Sequence, residues 1–111
     1  MTALRLLKAG AVHKGVRVAV PSLDGGPDAE LTADFRWLPA DKARQAMDAG
    51  DAEFLRAVLA GWEGIEAPDG SPLPYGEAAI EALAATAHVT VALSRAYTSW
   101  LRGARAKNSP G

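Results

Sequence analysis

Apolar and polar positions along the chain follow two different periods. Val16, Val18 and Val20 alternate with Gly15, Arg17 and Ala19, and a period of two places one set on each face of a half-buried strand. Pro21 stops the alternation, and Leu23-Asp24-Gly25-Gly26-Pro27-Asp28 is dense in residues that favour turns. It resumes with Leu31, Ala33, Phe35 and Trp37 on one parity and Thr32, Asp34 and Arg36 on the other. Two such runs joined by a turn predict a β-hairpin over residues 15–38 with one apolar face. Residues 1–14 mix Leu4, Leu6 and Leu7 with Arg5 and Lys8 without a period. They read as either an edge strand or a loose N-terminus.

Beyond Leu38 the period lengthens. Pro39 suits a first helical position and Asp41 the positive end of a helix. Ala40, Ala43, Ala46 and Met47 keep helical spacing up to Gly50. Asp51 is a favoured N-cap for a second helix, on which Phe54, Leu55, Val58, Leu59 and Trp62 share one face. That helix is predicted to stop at Trp62, bracketed by Gly61 and Gly64. A Pro68-Asp69-Gly70 turn and a strap stiffened by Pro72 and Pro74 then lead to Tyr75. Gly76 opens a third helix with a stripe of Ile80, Leu83, Ala84 and Ala87. After a break near Ala87-His88, Val89, Ala92, Leu93, Ala96, Tyr97, Trp100 and Leu101 continue an apolar face to about Gly103. Residues 104–111 read as a loose tail. The expectation is one α+β domain over residues 1–111, an N-terminal β-hairpin followed by a bundle of about four mostly short α-helices across 39–103.

Composition narrows the function classes. The chain has 111 residues, 49% of them apolar, and a net charge of −1, enough for a modest core without staples. No apolar run approaches the ~20 residues that span a bilayer, so the expected location is cytoplasmic, away from membranes. The lack of cysteine excludes disulfides and thiolate chemistry. Charge is unevenly spread: all thirteen acids lie between Asp24 and Glu81, whereas the first 23 and the last 30 residues each hold four Lys or Arg and no acid. Short basic ends are either solvated or arms for an acidic partner. The middle, with thirteen acids against four bases, opposes a phosphate backbone and argues against nucleic acid.

No catalytic constellation is legible. A site needs a nucleophile beside a base, paired carboxylates or a ligand set, and the two imidazoles, His13 and His88, form no His-x3-His pair. Gly25-Gly26 precedes a strand, so it lacks the helix N-terminus that cradles a phosphate. Asp69-Gly70 lacks the spaced oxygen ligands of a calcium loop. The expectation is no catalytic residue, no cofactor and no metal. Trp37 and Trp62 read as core. Tyr75, Tyr97 and Trp100, with Leu101, are either core or partner-binding anchors, since tyrosine and tryptophan dominate binding hot spots.

The residues resemble a known family. Val16-Arg17-Val18-Ala19-Val20-Pro21, Asp24-Gly25-Gly26 and the run from Leu31 to Pro39 are similar to the N-terminal hairpin of the small tail assembly chaperones of long-tailed bacteriophages. Phe54-Leu55, Gly61-Trp62-Glu63-Gly64-Ile65, Asp69-Gly70 and Leu73-Pro74-Tyr75 look like that family's Gly-Trp-x-Gly, Asp-Gly and Leu-Pro-Phe/Tyr landmarks. Lys107-Asn108-Ser109 is similar to its usual ending. Gly76 departs from a common capping Ser, and Ala87-His88 from a frequent proline.

The resemblance implies a non-enzymatic protein of the host bacterial cytoplasm, absent from the mature virion. It would bind the tape measure protein and help recruit tail tube protein, without nucleic acid or membrane as partner. Homo-oligomerisation stays open. The Ala-rich stripe of 78–87 and the aromatic stripe of 89–101 would wall a groove for an apolar partner helix, and replacing Tyr97 and Trp100 with alanine should abolish co-purification without unfolding the chain. The alternatives are another phage or host protein-binding adaptor and a nucleic-acid-binding regulator.

Overall fold

The computed structural model describes residues 3–107. In chain order the elements are β1 (Val12–Val20), β2 (Ala29–Arg36), α1 (Ala40–Ala49), α2 (Asp51–Val58), β3 (Leu59–Glu63), α3 (Glu77–Ala84) and α4 (Ala87–Lys107). The fold is α+β, an antiparallel sheet in the order β1-β2-β3 with four helices after the hairpin. The hairpin register pairs Val18 with Leu31 and Val16 with Ala33, and Val18, Val20, Leu31, Ala33 and Phe35 are buried on its inner face. This is the parity that the alternation predicts. β1 begins earlier than the alternation does, because a bulge between His13 and Val16 absorbs the irregular residues. There the Gly15 N–H donates to Asp34 Oδ1 at 3.0 Å. Residues 3–8 hold no regular structure, and Leu4 and Leu6 are strongly exposed.

The second helix ends sooner than its spacing predicts. Phe54, Leu55 and Val58 are buried on α2, but Leu59 turns extended, at φ −95° and ψ 123°, and starts a third strand. Trp62 therefore sits on β3, opposite Ala33, and not on a helix. Two causes are visible. Backbone pairing to the open side of β2 offers each residue a partner that a helix end does not, and the Arg36 guanidinium donates to the carbonyls of Arg56 (3.4 Å) and Ala57 (3.1 Å), satisfying the last turn of α2 where it stops. Gly61 faces Asp34 across the ladder, where a Cβ would lie 2.9 Å from Oδ2. Gly64 has φ +90°, and its Cβ would come within 3.3 Å of Glu30 O and Leu31 Cα. Both glycines thus serve a strand that lies close to its neighbour and leaves it sharply, and not a loosened helix end.

The strap lies back over β3. Gly70 N–H donates to Ala67 O and closes a turn through Pro68-Asp69, and Leu73 N–H donates to Ile65 O at 2.9 Å. The Trp62 indole N–H donates to Leu73 O (2.9 Å), the Tyr75 hydroxyl to Leu59 O (2.8 Å), and the two rings lie 5.1 Å apart. α2 is joined to the start of α3 by Arg56, whose guanidinium holds both Glu53 and Glu77. This contact keeps the Glu77 carboxyl below the usual carboxylate range and raises the pKa of Arg56.

α3 contributes Ala79, Ile80 and Leu83 to the core, and α4 contributes Ala92, Leu93 and Tyr97. The break between them falls at Ala85-Thr86, just before the predicted Ala87-His88, which is already helical, and the Thr90 hydroxyl donates to Leu83 O at 2.9 Å to satisfy the end of α3. Burial of side chains such as Phe35, Leu55, Leu59 and Ile80 stabilises the fold by about 1.5–3 kcal/mol each. α4 runs on to Lys107, so residues 104–107, expected in the tail, are helical. The expected tail residues 108–111, with the Asn108-Ser109 ending, lie outside the described residues.

Candidate functional site

The four residues singled out as partner anchors do not form one surface. Tyr97 is 1% exposed, with its ring edge-on to Phe35 at 5.2 Å and to Phe54 at 5.8 Å. Its hydroxyl donates to Arg36 O and accepts from Leu38 N–H, each at 3.1 Å. A side chain so enclosed is an internal tie between α4 and the end of β2, so its replacement by alanine would not leave the fold intact. Trp100 is half-buried against Phe35 (5.8 Å) and His13 (5.6 Å). Tyr75 is 45% exposed but tethered through its hydroxyl, and Leu101 is 42% exposed on α4. The stripe of α3 meets the core, while Ala92 and Ala96 of the α4 stripe also line a groove, against β1 and not against α3.

A concavity lies between α4 and the hairpin. Among the described residues β1 is an outer strand, paired with β2 alone, and between its outer edge and α4 runs a groove of about 540 Å³. Val18, Ala92 and Ala96 lie along its base and Val91, at 48% exposure, along its flank; Arg17 stands on one rim and Arg95 on the other. His88 and the strongly exposed Leu23 continue it toward a smaller hollow of about 290 Å³ beside the hairpin turn. Among the described residues none that lines the groove is an acid, although Asp24 lines the adjoining hollow. Arg17 reaches Glu30 only at 4.0 Å, with both side chains largely in water, a pairing that contributes little.

No known protein family, curated protein or solved structure matches the chain. Its chemistry therefore rests on its own geometry. Among the described residues no group of three or more His, Asp or Glu is placed to hold a metal ion. The two turn carboxylates are accounted for locally: Asp24 accepts from the Ser22 hydroxyl and Gly26 N–H, Asp69 from the hydroxyl and N–H of Ser71, and each is lowered in pKa by those bonds. These contacts shape turns. The groove is what the fold leaves unfilled, and it can take an apolar segment with negative charge at its margins.

Of the residues expected to wall a groove, Ala87, Ala92 and Ala96 line this one, against β1 and not against a second helix, whereas Arg17, Val91 and Arg95 lie outside the expected stripes. The sequence reading assigned α4 a single apolar stripe, although Val89-Thr90-Val91-Ala92-Leu93 is apolar around most of the helix. A helix of that kind is covered on more than one side, and Val91 was the signal.

Proposed function

We propose that this chain is a non-enzymatic binding protein of the tail assembly chaperone kind. It holds the tape measure protein of a long-tailed bacteriophage in the host cytoplasm and helps recruit tail tube subunits, then leaves the assembled tail. The resemblance in the Gly61-Trp62-Glu63-Gly64 and Leu73-Pro74-Tyr75 landmarks supplies the identity of the partners. The observation that supports a binding role is the apolar groove between β1 and α4, acid-free among the described residues, a concave surface of the kind that receives a partner segment.

Co-expression tests the proposal. A tape measure protein from the same phage is expected to be insoluble alone, and to remain soluble and co-purify when the chain is present. A tape measure protein equally soluble without it, or never retained on it, refutes the reading.

A further inference from the structure

α4 packs along β1, and its residues Val91 and Arg95, one turn apart, are exposed and line the groove with Arg17, Val18 and Ala19. Among the described residues no strand pairs with the outer backbone groups of β1. A further strand about 4.8 Å from β1 would lie over Val91, Ala92 and Ala96, giving those side chains an apolar neighbour and the backbone its missing partner. The stretch of β1 beside the groove, Arg17 to Val20, ahead of Pro21, which has no N–H to offer, matches about four extended residues, or about 13 Å. Charge then selects the sequence, because Arg17 and Arg95 flank the site and, among the described residues, none that lines the groove is an acid.

We propose that the groove takes an extended segment of a partner protein as a fourth strand on β1, with apolar side chains on Val91, Ala92 and Ala96 and carboxylates at Arg17 and Arg95. This rests on the binding-protein reading and specifies the partner segment as alternating apolar and acidic. The chain's own exposed segment 3–8 is apolar but carries Arg5 and Lys8 and no acid, so like charge opposes its entry from a second copy.

The test uses the full chain and two labelled eight-residue peptides, one alternating valine with glutamate and the other valine with lysine. By fluorescence anisotropy the glutamate peptide should bind at least about tenfold more tightly than the lysine peptide. Arg95→Glu, whose new charge offsets Arg17, should erase that preference, and Val91→Ser should weaken both peptides alike. Amide exchange in β1 should slow on binding. Equal affinity for the two peptides, or no added protection in β1, overturns the assignment, and both comparisons on the unmodified chain are independent of how the variants fold. Loss of the peptide preference while the tape measure protein still co-purifies removes the fourth-strand site alone. A retained preference without co-purification removes the chaperone reading instead.

Discussion

Tyr97→Phe takes one oxygen from the place where α4 meets the end of β2, and leaves the ring contacts with Phe35, Phe54 and Trp100 in place. The carbonyl of Arg36 and the N–H of Leu38 each lose a partner at 3.1 Å. An orphaned buried group costs about 1–3 kcal/mol; because Arg36 and Leu38 are only half-buried, water relieves part of this and about 1–2 kcal/mol is expected. For a chain of 111 residues that corresponds to a fall in Tm of about 4–9 °C. Tyr97→Ala also removes the ring and should cost about 3–5 kcal/mol, a large part of a typical domain's total. Urea unfolding followed by tryptophan fluorescence reads both values, with an unchanged slope showing that the same surface is exposed. Burial also raises the Tyr97 pKa above its ordinary 10.0. The folded state therefore holds this proton more tightly, and the associated stability is complete below about pH 10 and lost as pH rises through the higher folded value. Tyr97→Phe should remove that alkaline loss. A variant within about 0.5 kcal/mol of the wild type, with the same alkaline profile, refutes the tie.

The two glycines of the third strand should differ in cost. Gly64→Ala forces a side chain into φ +90° against Glu30 and Leu31 backbone, for about 1–3 kcal/mol, whereas Gly61→Ala meets only the Asp34 carboxylate, which can swing off Gly15 N–H for about 0.5–1 kcal/mol; the reverse order in urea midpoints contradicts this account. Trp62→Phe loses the bond to Leu73 O and should speed amide exchange at Leu73 while the sheet amides stay protected; an unchanged rate would place the strap's hold elsewhere. Arg56 lowers the Glu77 pKa, so the contribution of this pair is present above the ordinary carboxylate pKa and lost as pH falls through the lowered one. The midpoint gap between wild type and Glu77→Gln should accordingly shrink between neutral pH and about pH 3, and a constant gap would refute the coupling.

The hairpin was legible because a period of two has one structural meaning and Pro21 and Gly25-Gly26 mark its limits. Helices α1, α3 and α4 followed from spacing and breakers in the same way. The third strand was not, because Phe54, Leu55, Val58, Leu59 and Trp62 fit helical spacing as well as a helix that yields to a strand. Periodicity cannot separate the two when the deciding partner, the open side of β2, is far away in sequence. Tyr97 stayed ambiguous for a related reason: its two hydrogen-bond partners are backbone atoms of Arg36 and Leu38, which leave no trace in side-chain identity. The groove combines both difficulties, since it is formed between one element and the outer edge of another.

The uneven charge of the chain acquires a meaning only through topology. Taken separately, Arg17 near one end and Arg95 near the other are solvated cations on short basic segments. The strand order β1-β2-β3 puts the first segment at the sheet's edge, and α4 packs along that same strand, so both arginines line one groove. Their fields add there, in a site whose base is apolar and whose lining, among the described residues, contains no acid, and this focuses attraction on a carboxylate more than either cation does in open solvent. Association of the acidic peptide should therefore be fast and salt-sensitive. Raising ionic strength from about 0.01 M to 1 M shortens the screening length from about 30 Å to 3 Å and should slow binding by more than it speeds release. An association rate indifferent to salt would mean that Val91 and the β1 edge act without the two arginines.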